Sequence, residues 1–248
     1  MTDSLGWRMK FGVIAPSTNT SVQPEFDDMR PRGVTNHFSR IIIPDMKVAS
    51  DADFVAMVEA IRAATEPAID SVMSCHPQHV VLGMSAETFW EGQGRSEDMH
   101  RRMESRAGVG VTMGSHACIH AIRQYGNVKR IGVITPYMPV GDGQVRKFFT
   151  DNGFEVVRLK GLKCASPVLI AHVSPAELRR AVQEVNDSSV ELIIQAGTNL
   201  AFAAVAGEAE RWLEKPVLAI NTCTYWSALR RNGIDDRIDG FGSLFLEH

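Results

Sequence analysis

The chain has 248 residues, enough for one large or two small domains with proper cores. Its hydrophobic content of 44% and charged content of 22% are ordinary for a soluble globular protein, and a net charge of −3 with no basic run gives no electrostatic basis for binding nucleic acid. No apolar run reaches the ~18 residues of a membrane span. The opening MTDSLGWRMKFG lacks the apolar core of a signal peptide, and Cys75, Cys118, Cys164 and Cys223 stand apart without CxxC spacing. A cytoplasmic protein with neither disulfide framework nor zinc site is expected, with no nucleic-acid or membrane partner.

In chain order, β-rich runs predict strands over Phe11–Ala15, Ser39–Ile43, His79–Gly83, Val109–Met113, Arg130–Thr135, Phe154–Leu159, Glu191–Gln195 and Pro216–Ile220. Amphipathic stretches between them include Asp53–Ser74 and Ser174–Asn186. The second opens S-P-A-E: Ser174 can cap, Pro175 suits the first helical position and Glu177 completes a capping box. Strands alternating with helices argue for an α/β fold with parallel sheets covered on both faces.

An internal repeat organises these elements. KFGVIAPSTNT is echoed by RIGVITPYMPV, pairing Pro16 with Pro136. HVVLGMSAETF is echoed by ELIIQAGTNLAF, pairing Met84 with Ala196. GVTMGSHACIHAIRQYG is echoed by PVLAINTCTYWSALRRNG, pairing His116 with Cys223 and Gly126 with Gly233. Matches in the same order predict two pseudo-symmetric α/β halves, each with a mainly parallel four-stranded sheet flanked by helices. The ligand cleft is then expected between the halves, at the strand C-termini.

With P-S-T-N-T after the first strand, T-P-Y after the fifth, the S-P-A-E-L helix start and the closing Y-W-S-A-L-R-R-N-G, the sequence resembles the aspartate/glutamate racemase superfamily. It is most similar to the branch of maleate cis-trans isomerase and arylmalonate decarboxylase. The resemblance implies that the chain crosses over: residues 1–113 plus 222–248 form the first half and 114–221 the second. It also implies cofactor-free, metal-free chemistry on a small carboxylic or dicarboxylic acid (isomerisation, racemisation or decarboxylation) in a homo-oligomer, a dimer or tetramer. The loop A-P-S-T-N-T agrees, having no GxGxxG for a nucleotide, and no established metal-ligand spacing occurs.

In that superfamily a cysteine ends the third strand of one or both halves and attacks or protonates the substrate. Those positions here are Met84 and Ala196, and neither side chain can do this. The candidate substrate-binding residues are Pro16, Ser17, Asn19, Met84, Ser85, Ala86, Tyr137, Ala196, Gly197, Thr198 and Asn199. Asn19 and Tyr137 are implied by family counterparts; the hydroxyls and amides of the others also read as turn and helix-capping groups. Glu87 reads as solvent-facing or as a base with a raised pKa. His116 and Cys223, on equivalent loops after a fourth strand, are the candidate catalytic groups, set against the reading of two polar residues near helix starts. A maleate-like substrate is put in doubt by Cys164-Ala-Ser-Pro-Val168, which lacks the asparagine of the isomerases; Phe89, Trp90, Phe202 and Trp226 are possible linings for a larger ligand. The alternatives to an enzyme without thiols are a silent carboxylate binder, or a lyase or hydrolase using His116 or a bound water.

Overall fold

The computed structural model describes residues 3–248. It contains two four-stranded parallel sheets of the same order. The first is β2-β1-β3-β4, from β1 (Met9–Pro16), β2 (Val34–Ile41), β3 (His79–Leu82) and β4 (Gly110–Met113). The second is β6-β5-β7-β8, from β5 (Arg130–Thr135), β6 (Glu155–Gly161), β7 (Leu192–Gln195) and β8 (Val217–Ala219). The central strands β1, β3, β5 and β7 are runs of Val, Ile and Leu buried almost throughout, as strands covered on both faces must be.

Every predicted strand is present, with three informative differences in the bounds. β2 begins at Val34, earlier than expected, because its polar Thr35, Asn36 and His37 lie on an edge strand with one side open. It also ends at Ile41: Ile42 is exposed, while Ile43 turns inward. Ile220, expected to end the last strand, instead starts a helix.

The helices are α1 (Val22–Asp28), α2 (Asp51–Met73), α3 (Gln93–Ala107), α4 (Gly114–Ile122), α5 (Pro139–Asp151), α6 (Pro175–Val185), α7 (Ala203–Leu213), α8 (Ile220–Arg231) and α9 (Ser243–Glu247). The capping box at Ser174 and Glu177 forms as the spacing predicts. α8 is the most enclosed helix, buried from Ile220 to Leu229. Its Tyr225 packs on Phe11 and Phe26, with ring centroids 5.8 and 4.9 Å away. Burying such side chains contributes about 1.5–3 kcal/mol each.

We propose that residues 1–113 with 222–248, and 114–221, are the two halves. The packing of α8 against α1, β3 and β4 supports the return of the C-terminal helix to the first sheet. No helix is long and apolar enough to cross a membrane among the described residues.

In each sheet the chain leaves the first strand to one edge and returns on its other side, so β1/β3 and β5/β7 are switch points. Ligand crevices form outside the carboxyl ends of such strands.

Candidate functional site

The segments that follow β1, β3, β5 and β7 line a cavity, open on one side to solvent, of about 410 Å³ including that open space. Of the residues expected to bind substrate, Pro16, Asn19, Met84, Ser85, Ala86, Tyr137, Gly197, Thr198 and Asn199 line it. Ser17 and Ala196 lie just outside the lining. Ser17 fastens the end of β1 to the chain beyond β2: its N–H donates to Ile41 O, and its hydroxyl donates to Ile43 O at 3.0 Å and accepts from Ile43 N at 3.1 Å. Ala196 continues β7, donating its N–H to Ile134 O, and is fully enclosed. Gly197 is required where it stands, since a Cβ there would overlap the Pro136 ring.

The polar lining is a chain of hydrogen bonds across the two halves. Tyr137 Oη donates to Ser85 Oγ at 2.6 Å, and the Thr198 N–H donates to the same oxygen at 3.1 Å. Ser85 therefore keeps its own proton to donate. Asn19 Oδ1 accepts from the N–H groups of Ser21 and Val22, both at 3.0 Å, which caps α1. Its Nδ2 donates to Thr198 Oγ1 at 3.2 Å. One amide hydrogen of Asn19 and the hydroxyl proton of Thr198 remain for a ligand. The capping and ligand-binding readings of Asn19 are thus compatible.

Asn199 differs. Its Oδ1 accepts from Thr20 N at 2.9 Å and Ser21 N at 3.3 Å, and its Nδ2 donates to Thr18 O at 3.3 Å and Pro167 O at 2.9 Å. Its amide is committed to joining three loops, so it shapes the cavity while having no donor to spare.

The lining carries no fully charged side chain, and its one titratable group is Tyr137. Burial pushes that hydroxyl well above the usual tyrosine range, so it stays protonated. Glu87 is not solvent-facing. It is 4% exposed, lies behind the lining in the turn Ala86–Phe89, and pairs with Arg62 of α2 at 2.7 Å. Burial raises its pKa and the guanidinium opposes the rise.

The structure places His116 and Cys223, the candidate catalytic groups, away from this cavity. Neither sits on a loop: β4 passes directly into α4 and β8 directly into α8, so both are inside helices and outside the cavity lining. The His116 ring lies against His100 and Phe148 and hydrogen-bonds Ser96 Oγ at 3.2 Å. Burial depresses it to about 4, leaving it neutral near pH 7. Cys223 is buried against Cys118 where α4 and α8 pack. We expect His116→Ala to change the affinity for a ligand of this cavity by less than about twofold, as for a site with no shared partner; calorimetry showing a tenfold loss would return His116 to the site.

Sequence reasoning missed the apolar wall. Ile43, Met57, Ile61, Pro167 and Ile170 line the cavity, from the end of β2, from α2 and from the segment before α6. Met57 and Ile61 are spaced i, i+4 on the buried face of α2, a signal for burial that does not say against what. The aromatics suggested as linings are elsewhere. Phe89, Phe202 and Trp226 are core, and Trp90 stacks on Phe54 with centroids 6.2 Å apart.

Comparison with known proteins agrees with this architecture. A maleate isomerase of Pseudomonas putida is 24% identical over 244 residues, covering 95% of this chain and 96% of that one. Among solved structures, a Nocardia farcinica maleate cis-trans isomerase variant with a covalently bound succinylcysteine intermediate superposes with a TM-score of 0.87 at 18% identity, over 97% of this chain and 99% of that one. Arylmalonate decarboxylase superposes with a TM-score of 0.73 at 19% identity, over 95% and 98% of the two chains. The family model for arylmalonate decarboxylase matches residues 11–245. With nearly its whole length matched, the chain belongs to the arylmalonate decarboxylase family.

Proposed function

We propose that the protein is a cofactor-independent enzyme acting on a small carboxylic or dicarboxylic acid in this cavity, by decarboxylation rather than by thiol addition. The carrying observation is the lining, which combines neutral hydroxyl and amide donors with the apolar side chains of Ile43, Met57, Ile61, Met84 and Ile170 and includes no thiol. Neutral donors suit a carboxylate, since a hydrogen bond to a charged group contributes about 1.5–3 kcal/mol. Asn19, Ser85 and Thr198 hold one carboxylate, and a second lies against the apolar wall, poorly solvated. The carbon–carbon bond to the second carboxylate breaks and CO2 leaves. The electron pair passes to the first carboxylate as an enediolate, whose developing charge the same donors stabilise, and the carbon then takes a proton from water.

Isomerisation through a covalent adduct needs a nucleophile. The Nocardia farcinica maleate isomerase variant carries a succinylcysteine, whereas Met84 and Ala196, at the ends of β3 and β7, offer none. Among the described residues no group of three or more His, Cys, Asp or Glu is placed to hold a metal ion. A cytoplasmic homodimer or homotetramer completes this reading. Free cysteines support the compartment, and sedimentation analysis tests the assembly.

A second reading, a silent carboxylate binder, is favoured by the absence of a proton-transfer group with a working pKa from the lining. Calorimetry and product NMR with phenylmalonate and maleate separate the two. The enzyme reading expects binding, release of phenylacetate from phenylmalonate, and binding about tenfold weaker in Asn19→Ala. Binding without turnover, with Ala196→Cys then turning over, establishes the silent binder. If neither acid binds, both readings fall.

A further inference from the structure

Behind the wall that carries Thr198 lies a polar cluster that the chemistry above does not use. Glu25 reaches from α1 toward the starts of α7 and α8. Its Oε1 accepts from Ala203 N at 3.0 Å and its Oε2 from Asn221 Nδ2 at 2.6 Å. The same Nδ2 donates to the Thr198 carbonyl at 2.9 Å, and the Thr198 hydroxyl accepts from Asn19. One amide group therefore ties the Glu25 carboxyl to the polar lining of the cavity.

The Glu25 stem keeps some surface, but its carboxyl head is enclosed. Among the described residues no lysine or arginine pairs with it. α7 and α8 present it with amide groups, and its charged neighbour is Asp28 on α1 itself. Desolvation outweighs the hydrogen bonds and lifts the carboxyl to about 7. Asn221 Oδ1 is buried without a partner.

We infer that binding of a carboxylate in the cavity is accompanied by uptake of a proton on Glu25, so that the site takes in its anion with no cation to balance it. The inference rests on the carboxylate-site reading above. An anion against Asn19 and Thr198 and a charged Glu25 on the far side of Asn221 repel through a poorly screened interior. Protonating Glu25 removes the repulsion. By linkage, whatever raises the affinity of Glu25 for a proton raises the affinity of the low-pH form for the anion.

The test is titration calorimetry of the wild type with maleate and with phenylacetate, neither of which the proposed decarboxylation consumes, between pH 7.0 and 8.5, where both are chiefly ionised, in buffers of differing ionisation enthalpy. For a coupling of about one pKa unit, binding takes up about half a proton at pH 7.5 and weakens about fourfold from pH 7.0 to pH 8.5. Glu25→Gln, which holds the site in its neutral form, should bind with no such uptake and with an affinity independent of pH; Glu25→Asp, which keeps a carboxyl, should retain the uptake. Binding without proton uptake in the wild type overturns the inference even if no variant folds, and so does equal uptake in Glu25→Gln; both leave the carboxylate site standing. If neither acid binds at any pH, the site and the inference fall together.

Discussion

Asn199→Ala is expected to lower the unfolding free energy by about 3–5 kcal/mol, the largest loss for any residue of the cavity. The side chain is 6% exposed and joins the loop after β1 to the loop after β7 and to Pro167, through bonds to Thr18, Thr20, Ser21 and Pro167. Alanine leaves the Thr20 N–H and the carbonyls of Thr18 and Pro167 without these partners, while the Ser21 N–H keeps Asn19 Oδ1. Each unsatisfied buried group costs about 1–3 kcal/mol, less where water enters. For a chain of this size the melting temperature should fall by about 6–20 °C. Asn199→Asp, which keeps the acceptor and loses the donors, should fall between wild type and alanine. A melting temperature within about 2 °C of wild type would mean that the loops are held by other contacts.

Arg62→Ala is the second large effect, and it carries a pH signature. Glu87 is enclosed, and the Arg62 guanidinium donates to it from Nε at 2.7 Å and Nη2 at 3.3 Å. Removing the partner of a buried charge costs about 3–5 kcal/mol when the pair is fully buried; Arg62 is partly exposed, so about 2 kcal/mol is expected near pH 7. The sign follows from the folded pKa of Glu87, which lies above the ordinary 4.5 even with Arg62 in place and rises further without it. A group raised in this way contributes stability below its unfolded pKa and loses it as pH rises through the folded value. The variant should therefore approach wild-type stability at pH 4 and diverge from it toward pH 7.5 in urea unfolding. Adding Glu87→Gln should recover most of the loss at pH 7.5. A penalty equal at both pH values would assign the effect to lost packing of the arginine stem instead.

The local chemistry of this chain is written in its sequence. Buried runs such as Val80-Val81-Leu82 and Ile193-Ile194 can only be covered strands, and S-P-A-E can hardly start anything but a helix. The repeat relating Pro16 to Pro136 and Met84 to Ala196 marked the segments after the central strands, because equivalent strands of a duplicated sheet must end at equivalent places. What tertiary structure alone decided is how each side chain there is spent. Asn19 and Asn199 look alike as residues after a strand. Only the opposing loops determine that one keeps an amide hydrogen free while the other has none. His116 and Cys223 fell outside because the fourth strands pass straight into helices with no loop between. The apolar wall and the Glu25–Asn221 cluster were invisible for one reason. They join residues such as Met57, Ile170 and Glu25 that have no sequence relation to one another, and a side chain's burial, pKa and hydrogen-bond partners come from neighbours that only folding supplies.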